Sequence, residues 1–210
     1  MPKDTFFNLP DEKRQRVIEA AIEEFAKGSF REARVTAIAE KAGIPVGSFY
    51  QYFEDKKDLY KYIIQLIAEE KIAQINQDMI ANMQRYGFFQ LLREVYASGF
   101  RFAKEHPRLV AIGLSLWNDK ALYHEVYGDY VETSADFFQK IIAKGVADGD
   151  LDPDIDPAFV ARLLTALNYA LAEIVYGDGK LDLDDLEVVD KMLKLIENGI
   201  KNRAAARGGC

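Results

Sequence analysis

Cysteine is almost absent from the 210-residue sequence, and the single Cys210 cannot form an intrachain disulfide. A small secreted fold held together by disulfides is therefore excluded. Long apolar runs are absent as well: no stretch approaches the roughly eighteen consecutive apolar residues of a membrane-spanning helix. The first residues also lack the apolar segment of a secretory signal. These absences predict a cytoplasmic protein that has no membrane partner.

Histidine is nearly as rare, since the chain has only His106 and His124. Neither belongs to the ligand spacing of a metal site, and the sequence signatures of zinc peptidases, serine hydrolases, P-loops and dinucleotide-binding turns do not occur. Five aspartates between residues 148 and 156 lack the glycine and glutamate positions of an EF-hand. We therefore expect no metal, no cofactor and no enzymatic activity.

Acidic residues outnumber basic residues by 34 to 27, which gives a formal net charge of −7. The excess is unevenly distributed: residues 1–60 carry 10 basic and 11 acidic side chains, whereas residues 148–190 carry 12 acidic side chains against two basic ones. Net charge therefore gives no support for nucleic-acid binding, and any such case has to come from a local pattern.

Apolar residues recur at spacings of three and four along the whole chain, and no alternating run predicts a strand. We predict an all-α fold of about nine helices. One long helix is expected from about residue 56 to Met83, and a single helix from about residue 120 to 147. The pair Asp156-Pro157 is typical of a helix start, with a capping carboxylate before a proline.

A short helix, a tight turn and a second short helix are predicted between residues 35 and 53. The first helix covers Val35–Ala42, and Gly43 is expected in the left-handed conformation that ends a helix. Pro45 prevents the first helix from continuing, and the second covers about Val46–Phe53. This is a helix-turn-helix, whose second helix is narrow enough to enter the major groove of DNA.

The composition of the second helix agrees with that use, because residues 41–53 include no carboxylate that would repel phosphates. Outside the face formed by Phe49 and Phe53, the helix offers hydroxyls, an amide and small apolar groups. Such groups hydrogen-bond phosphate oxygens and base edges. A tyrosine- and serine-rich helix would also suit a protein-docking surface, so these residues alone leave both uses open.

The run from Ile38 to Phe53, followed by Lys56 and Leu59, resembles the DNA-binding domain of the tetracycline-repressor (TetR) family. The earlier Ala20, Ala21, Phe25 and Ala26 fit the first helix of that domain. The resemblance covers about residues 10–60, and the rest of the chain matches the family in length and helical character. It implies a three-helix DNA-binding domain at residues 1–56, a helical ligand-binding and dimerisation domain at 57–202, and a flexible tail at 203–210.

Carried onto this sequence, the resemblance implies contacts to double-stranded DNA from Thr36, Val46, Gly47, Ser48, Tyr50, Gln51, Tyr52 and Lys56. Lys56 matches the phosphate-contacting lysine of the family, so we expect Tyr52→Ala or Lys56→Ala to weaken operator binding without unfolding the domain. The chain departs from the family at Arg34, where a capping Ser or Thr is usual. Arg34 either leaves the helix uncapped or contacts a phosphate. Val46 can make only apolar contacts, such as one to a thymine methyl.

The helix that begins at Pro157 is apolar on more than one side, so one face is left for a partner. The resemblance implies that the last two helices pair with those of a second copy in a four-helix bundle. The residues expected at this homodimer interface are Leu163, Leu167, Leu171, Val189, Met192 and Ile196.

Large aromatic side chains with polar tips in the second part of the chain would suit an apolar or aromatic ligand. Aromatic residues at helical spacing also pack ordinary cores, so both interpretations stay open for each of them. The candidate pocket residues are Tyr96, Phe100, Leu114, Trp117, Tyr123, Tyr127, Asn168 and Tyr169.

Together these observations predict a ligand-responsive transcriptional regulator, most plainly a repressor, that binds operator DNA as a homodimer and is released by a small hydrophobic or aromatic effector. The alternatives are a DNA binder that needs no effector and a helical protein-interaction module.

Overall fold

The computed structural model describes residues 1–127, 130–172 and 185–200, except for the side chains of 127, 130–136, 169, 172, 185–186 and 200. The regular elements in these ranges are helices, and the all-α prediction is confirmed. They comprise a 3₁₀ helix at Met83–Arg85 and twelve α-helices: α1 (Asp4–Phe7), α2 (Asp11–Ala26), α3 (Val35–Ala42), α4 (Val46–Tyr52), α5 (Lys56–Ala73), α6 (Gln77–Ala81), α7 (Phe88–Glu105), α8 (Pro107–Asn118), α9 (Lys120–Tyr127), α10 (Tyr130–Ala147), α11 (Pro157–Ala172) and α12 (Asp185–Ile200).

The chain folds as two compact units. The first, which we call the head unit, comprises Met1–Glu70 and Glu105–Val126. The second, the body unit, comprises Lys71–Lys104 and the described residues from Tyr127 onward. The predicted boundary at residues 56–57 is drawn between a DNA-binding domain and a ligand-binding domain. It does not coincide with the limits of the compact units, and it stays a prediction. The predicted tail at 203–210 lies outside the described residues.

The helix-turn-helix of the head unit forms as its turn residues predict. Gly43 has a φ of +67°, the left-handed conformation expected where α3 ends. The N–H groups of Gly43 and Ile44 then donate to the carbonyls of Glu40 and Ala39. Pro45 follows with extended backbone and precedes the first residue of α4. Because Phe49 and Phe53 are fully buried, the opposite face of α4 is directed outward.

The long helix α5 begins with a reciprocal cap and ends earlier than predicted. Asp55 accepts the N–H of Asp58 at 2.8 Å, and Asp58 accepts the N–H of Glu54 at 3.1 Å. The expectation of one helix to Met83 is wrong, since α5 ends at Ala73. The reason is Asn76, whose side chain accepts the N–H groups of Asp78 and Met79 and so starts the separate helix α6.

The body unit is built around an apolar core that joins α7, α10, α11 and α12. The Asp150 carboxylate accepts the N–H of Phe88 at 2.8 Å and caps α7. Asp156 accepts the N–H groups of Ala158 and Phe159, which confirms the predicted helix start at α11. Aspartates of the 148–156 segment thus serve as helix caps. None of the described helices is both long and apolar enough to cross a membrane.

Three differences account for the helix number, and the separate helix α6 is the first of them. The four-residue α1 is too short for apolar periodicity to reveal it, although its Phe6 is fully buried. The single helix predicted over 120–147 is represented by α9 and α10, with residues 128–129 outside the described residues.

Candidate nucleic-acid interface

The outward face of α4 carries most of the predicted DNA contacts. Val46 and Tyr50 are exposed to 40% and 50%, Gly47 and Gln51 are exposed, and Ser48 is partly exposed. On α3, the neighbouring helix, Thr36 is exposed as well. The face therefore presents hydroxyls, one amide and small apolar groups, which is the chemistry that base edges and phosphates accept.

Tyr52 differs from the other predicted contacts on α4, because this residue is only 6% exposed. The ring lies 6.3 Å from that of Phe6, centroid to centroid, and the Lys13 ammonium lies 5.9 Å from its centroid. Tyr52 is thus part of the packing beneath α4. Only its hydroxyl remains as a group that could reach DNA.

Lys56 lies at the start of α5, where the sequence predicts a phosphate contact. Its ammonium donates to the carbonyl oxygens of Phe30 at 2.7 Å, Ala33 at 2.8 Å and Arg31 at 3.3 Å. Burial lowers the pKa of Lys56 below its ordinary value, while the charge of Glu24 acts in the opposite direction. Lys56 therefore stabilises the loop between α2 and α3, and its contact to phosphate stays a prediction.

Arg34 precedes α3 in extended conformation, and its side chain does not cap the helix. Instead, its N–H donates to the Glu24 carboxylate at 3.0 Å, and the Lys27 ammonium donates to the same carboxylate at 3.2 Å. Burial acts to raise the pKa of Glu24, but these two hydrogen bonds and the charges of Lys27 and Arg34 outweigh it, so the pKa is lowered. The start of α3 is thus anchored to α2 through its backbone, which leaves the exposed Arg34 side chain available to solvent or phosphate.

Sequence reasoning missed the segment that precedes α2. The Lys3 N–H donates to the Tyr52 carbonyl at 2.8 Å, the Lys3 ammonium to that of Tyr50 at 2.9 Å, and the Thr5 hydroxyl to that of Gln51 at 2.5 Å. The adjacent apolar pair Phe6 and Phe7 was the signal in the sequence that something packs there.

The predicted pocket residues are divided between the two units. Tyr96, Phe100 and Asn168 belong to the body unit, where the Tyr96 hydroxyl donates to the carbonyl of Leu164 at 2.9 Å and burial raises the pKa of Tyr96. The other described residues, Leu114, Trp117 and Tyr123, belong to the head unit. The side chains of Tyr127 and Tyr169 lie outside the described residues.

Within the head unit, Trp117 and Tyr123 form one aromatic cluster. Their ring centroids are 5.3 Å apart in an edge-to-face arrangement, and the Lys120 ammonium lies 3.6 Å from the centroid of Trp117. Among the described side chains, the structure thus brings Trp117 and Tyr123 into direct ring contact. Pocket lining stays a prediction for the whole set.

The predicted dimer residues also differ in their surroundings. Val189 and Met192 are enclosed in the core of their own unit, which leaves almost no surface for a partner to cover. Leu167, Leu171 and Ile196 are partly buried against that core. Leu163 is 48% exposed, and the sequence reading missed Phe159 at 63% and Leu195 at 76%. Among the described side chains of α11 and α12, the exposed large apolar ones are therefore Phe159, Leu163 and Leu195.

Comparison with known proteins decides the family. Residues 17–63 match the model for bacterial regulatory proteins of the tetR family. A TetR family transcriptional regulator from Chloroflexus aurantiacus J-10-FL is 29% identical, with a TM-score of 0.70 over 96% of this chain and 99% of that one. Residues 17–63 therefore form a DNA-binding domain of the TetR family. The chain is accordingly a DNA-binding transcriptional regulator and not an enzyme.

Other relatives match this chain over most of its length. It is 25% identical to the uncharacterized HTH-type transcriptional regulator YvdT of Bacillus subtilis (strain 168), over 91% of this chain and 93% of that protein. It is 23% identical to the fatty acid metabolism regulator protein of the same organism, over 91% and 97%. The structure of FadR from Bacillus subtilis in complex with stearoyl-CoA, at 16% identity, shares the fold with a TM-score of 0.76, over 89% of this chain and 98% of that one.

Proposed function

We propose that this TetR-family regulator acts in the cytoplasm as a homodimer, occupies an operator and represses transcription until a small apolar or aromatic effector releases it. The observation that carries the DNA-binding part is the outward face of α4. It exposes Val46, Gly47, Tyr50 and Gln51 on a helix that contains no carboxylate.

The roles of these side chains follow from their chemistry. The Gln51 amide can both donate and accept, so it can read an adenine edge or bridge a base to a phosphate. Ser48 and Thr36 offer hydroxyls, and Val46 offers an apolar contact to a thymine methyl. Sequence-dependent DNA shape supplies the remaining discrimination.

The first experiment selects bound DNA from random oligonucleotides and then measures the affinity of the selected site against salt concentration. We expect Gln51→Ala to lower affinity for the selected site by roughly 5- to 100-fold, the worth of one good base contact. Gln139→Ala is the matched control, because Gln139 is an exposed glutamine on α10 in the other unit. Equal affinity of the Gln51 and Gln139 variants would contradict the assignment of α4 as the reading helix.

Dimerisation is supported by the exposed apolar side chains of α11 and α12. Phe159 and Leu163 are four residues apart and share one face of α11, and Leu195 adds an apolar residue on α12. Pairing of these faces between two copies would remove them from water. It would also present two α4 helices to successive major grooves, about 34 Å apart along the DNA.

Sedimentation velocity tests this part. The unchanged protein should sediment as a dimer at micromolar concentration, and Leu163→Glu should shift it to a monomer because a carboxylate would be buried without a partner. Arg162→Glu, at an exposed position one residue away, should leave the dimer intact. A monomeric unchanged protein would refute the proposal.

Coupling to an effector is supported by the bonds of α8 and α9 within the head unit, because the candidate pocket residues Leu114, Trp117 and Tyr123 lie on these helices. Arg108 pairs with Glu19 of α2 at 2.5 Å, Lys57 of α5 pairs with Glu125 at 2.6 Å, and the Ser115 hydroxyl donates to the Gly28 carbonyl at 3.3 Å. An effector that displaces α8 or α9 would therefore also displace α2 or α5, the helices that support α3 and α4.

A thermal-shift panel tests the effector. It should include long-chain acyl-CoAs, since a protein that shares this fold is described in complex with stearoyl-CoA, together with free fatty acids and hydrophobic aromatic compounds. A true effector raises the melting temperature and lowers operator affinity. A panel without any hit would favour the DNA binder that needs no effector, and failure to select any DNA would favour the protein-interaction module.

A further inference from the structure

The recognition helix α4 is held at its carboxyl end by residues from the start of the chain. A helix leaves its last four carbonyls without partners, and in α4 these belong to Phe49, Tyr50, Gln51 and Tyr52. The Phe49 carbonyl accepts the N–H of Phe53 at 2.9 Å. The remaining three accept, in order, the Lys3 ammonium, the Thr5 hydroxyl and the Lys3 N–H.

We propose that Lys3–Phe6, which we call the clasp, positions the recognition helix for operator DNA, with Lys3 and Thr5 as positioning residues that bind no base themselves. The proposal rests on the operator binding proposed above. It goes beyond that function by assigning part of operator discrimination to residues more than forty positions away in the sequence.

The clasp is itself anchored. Phe6 is fully buried, with its ring centroid 4.8 Å from that of Phe53, 5.5 Å from that of Tyr62 and 6.3 Å from that of Tyr52. Phe53 follows α4 and Tyr62 lies on α5, so the anchor joins the clasp to the end of the recognition helix and to the helix behind it. The packing of Phe6 therefore fixes the position of the segment whose Lys3 and Thr5 donate these hydrogen bonds.

The need for a clasp follows from the length of α4. A seven-residue helix is not stable by itself in water. Phe49 fixes its inner face and the turn at Gly43 fixes its amino end, so the last turn would fray without partners for its carbonyls. That turn bears Tyr50, Gln51 and the Tyr52 hydroxyl, which are predicted DNA contacts. The Lys3 ammonium adds a favourable positive charge at the negative end of the helix dipole.

The test compares Thr5→Val, which keeps the shape of the side chain but removes the hydroxyl, with Thr5→Ser, which restores it. Full-length protein is measured on the selected operator and on a scrambled duplex of equal length. We expect Thr5→Val to lower operator affinity roughly fivefold, the worth of one hydrogen bond. Affinity for the scrambled duplex and the salt dependence of binding should not change, and Thr5→Ser should recover operator affinity. Asn8→Ala, at an exposed position just after α1, is the control that should change nothing.

Each other outcome overturns the clasp. Equal loss on both duplexes would make the Thr5 hydroxyl a direct phosphate contact, which carries no sequence preference. Unchanged operator affinity in Thr5→Val would show that the last turn needs no partner. Absence of any operator preference in the unchanged protein would refute the proposed function and the clasp with it, whereas a specific unchanged protein with an equally specific Thr5→Val refutes the clasp alone.

Discussion

The Lys56 ammonium lies 2.7 Å from the carbonyl oxygen of Phe30 and 4.5 Å from the centroid of the same residue's ring. The family resemblance assigns Lys56 to a DNA contact. The same side chain also stabilises the loop between α2 and α3 through hydrogen bonds to its carbonyls. The orientation of α3, and of α4 after it, depends on that loop.

Lys56→Met should therefore lower the free energy of unfolding by about 1–3 kcal/mol, because the substitution leaves loop carbonyls without a donor. The sequence-based expectation is that Lys56→Ala weakens operator binding without unfolding the domain, and the loop contacts add this loss of stability to it. Urea denaturation measures the effect, with Lys61→Met on the same helix as the control. A Lys56 variant of unchanged stability but weakened operator binding would restore the phosphate contact as its main role.

Tyr52 also combines two roles, because its ring packs in the core and its hydroxyl is a predicted DNA contact. Tyr52→Ala should destabilise the protein by about 3 kcal/mol, since a buried aromatic ring is lost beside Phe6. Tyr52→Phe should leave stability within about 0.5 kcal/mol and still lower operator affinity if the hydroxyl meets a phosphate. Thermal melting and operator titration of both variants check this. Full operator affinity in Tyr52→Phe would remove the hydroxyl from the DNA contacts.

Gly47→Ala should weaken operator binding without any loss of stability. A Cβ added at Gly47 would have no other atom within 4 Å, so nothing in the protein excludes it, and alanine favours helix by up to about 1 kcal/mol. The added methyl would, however, stand on the face that approaches DNA. Gly113→Ala on α8 is the matched control, because its Cβ also meets nothing within 4 Å. Gly113→Ala should preserve operator affinity, and equal affinity of the two variants would place Gly47 away from the duplex.

Lys71, near the end of α5, should make stability rise with pH. Burial lowers the pKa of Lys71, and its ammonium lies 5.9 Å from the ring centroid of Phe102. Between this lowered folded-state pKa and the ordinary unfolded value near 10.4, the unfolded state binds more protons, so the free energy of unfolding increases with pH across that window.

The matching substitution is Lys71→Met. It should raise the free energy of unfolding at pH 7 by about 1 kcal/mol, because a partly buried charge is removed while the chain length is kept. The advantage should shrink as pH rises toward 10.4. Urea denaturation at several pH values tests this, and a Met variant that is less stable at pH 7 would show that the charge has a stabilising partner.

The local parts of the structure were readable in advance. The turn at Gly43, the start of α4 after Pro45 and the capped start of α11 all depend on residues a few positions apart, whose backbone preferences act wherever the chain folds. The run from Ile38 to Phe53 carries both the helix-turn-helix and the family resemblance. Sequence reasoning therefore recovered the all-α fold, the likeness to the TetR family and the exposed face of α4 apart from Tyr52, which is buried.

The roles of single side chains depended on partners that no local pattern identifies. Lys56 meets a carbonyl 26 residues away, and Thr5 meets one 46 residues away. Val189 matched the spacing of an interface residue but lies inside its own core, while Leu195 on the same helix is exposed. The sequence alone determined that the chain is helical and where its helix-turn-helix lies, because helix propensity and turn geometry are local. Only tertiary structure decided which donors satisfy which carbonyls and which apolar faces remain uncovered, because burial is a property of residues that meet after folding.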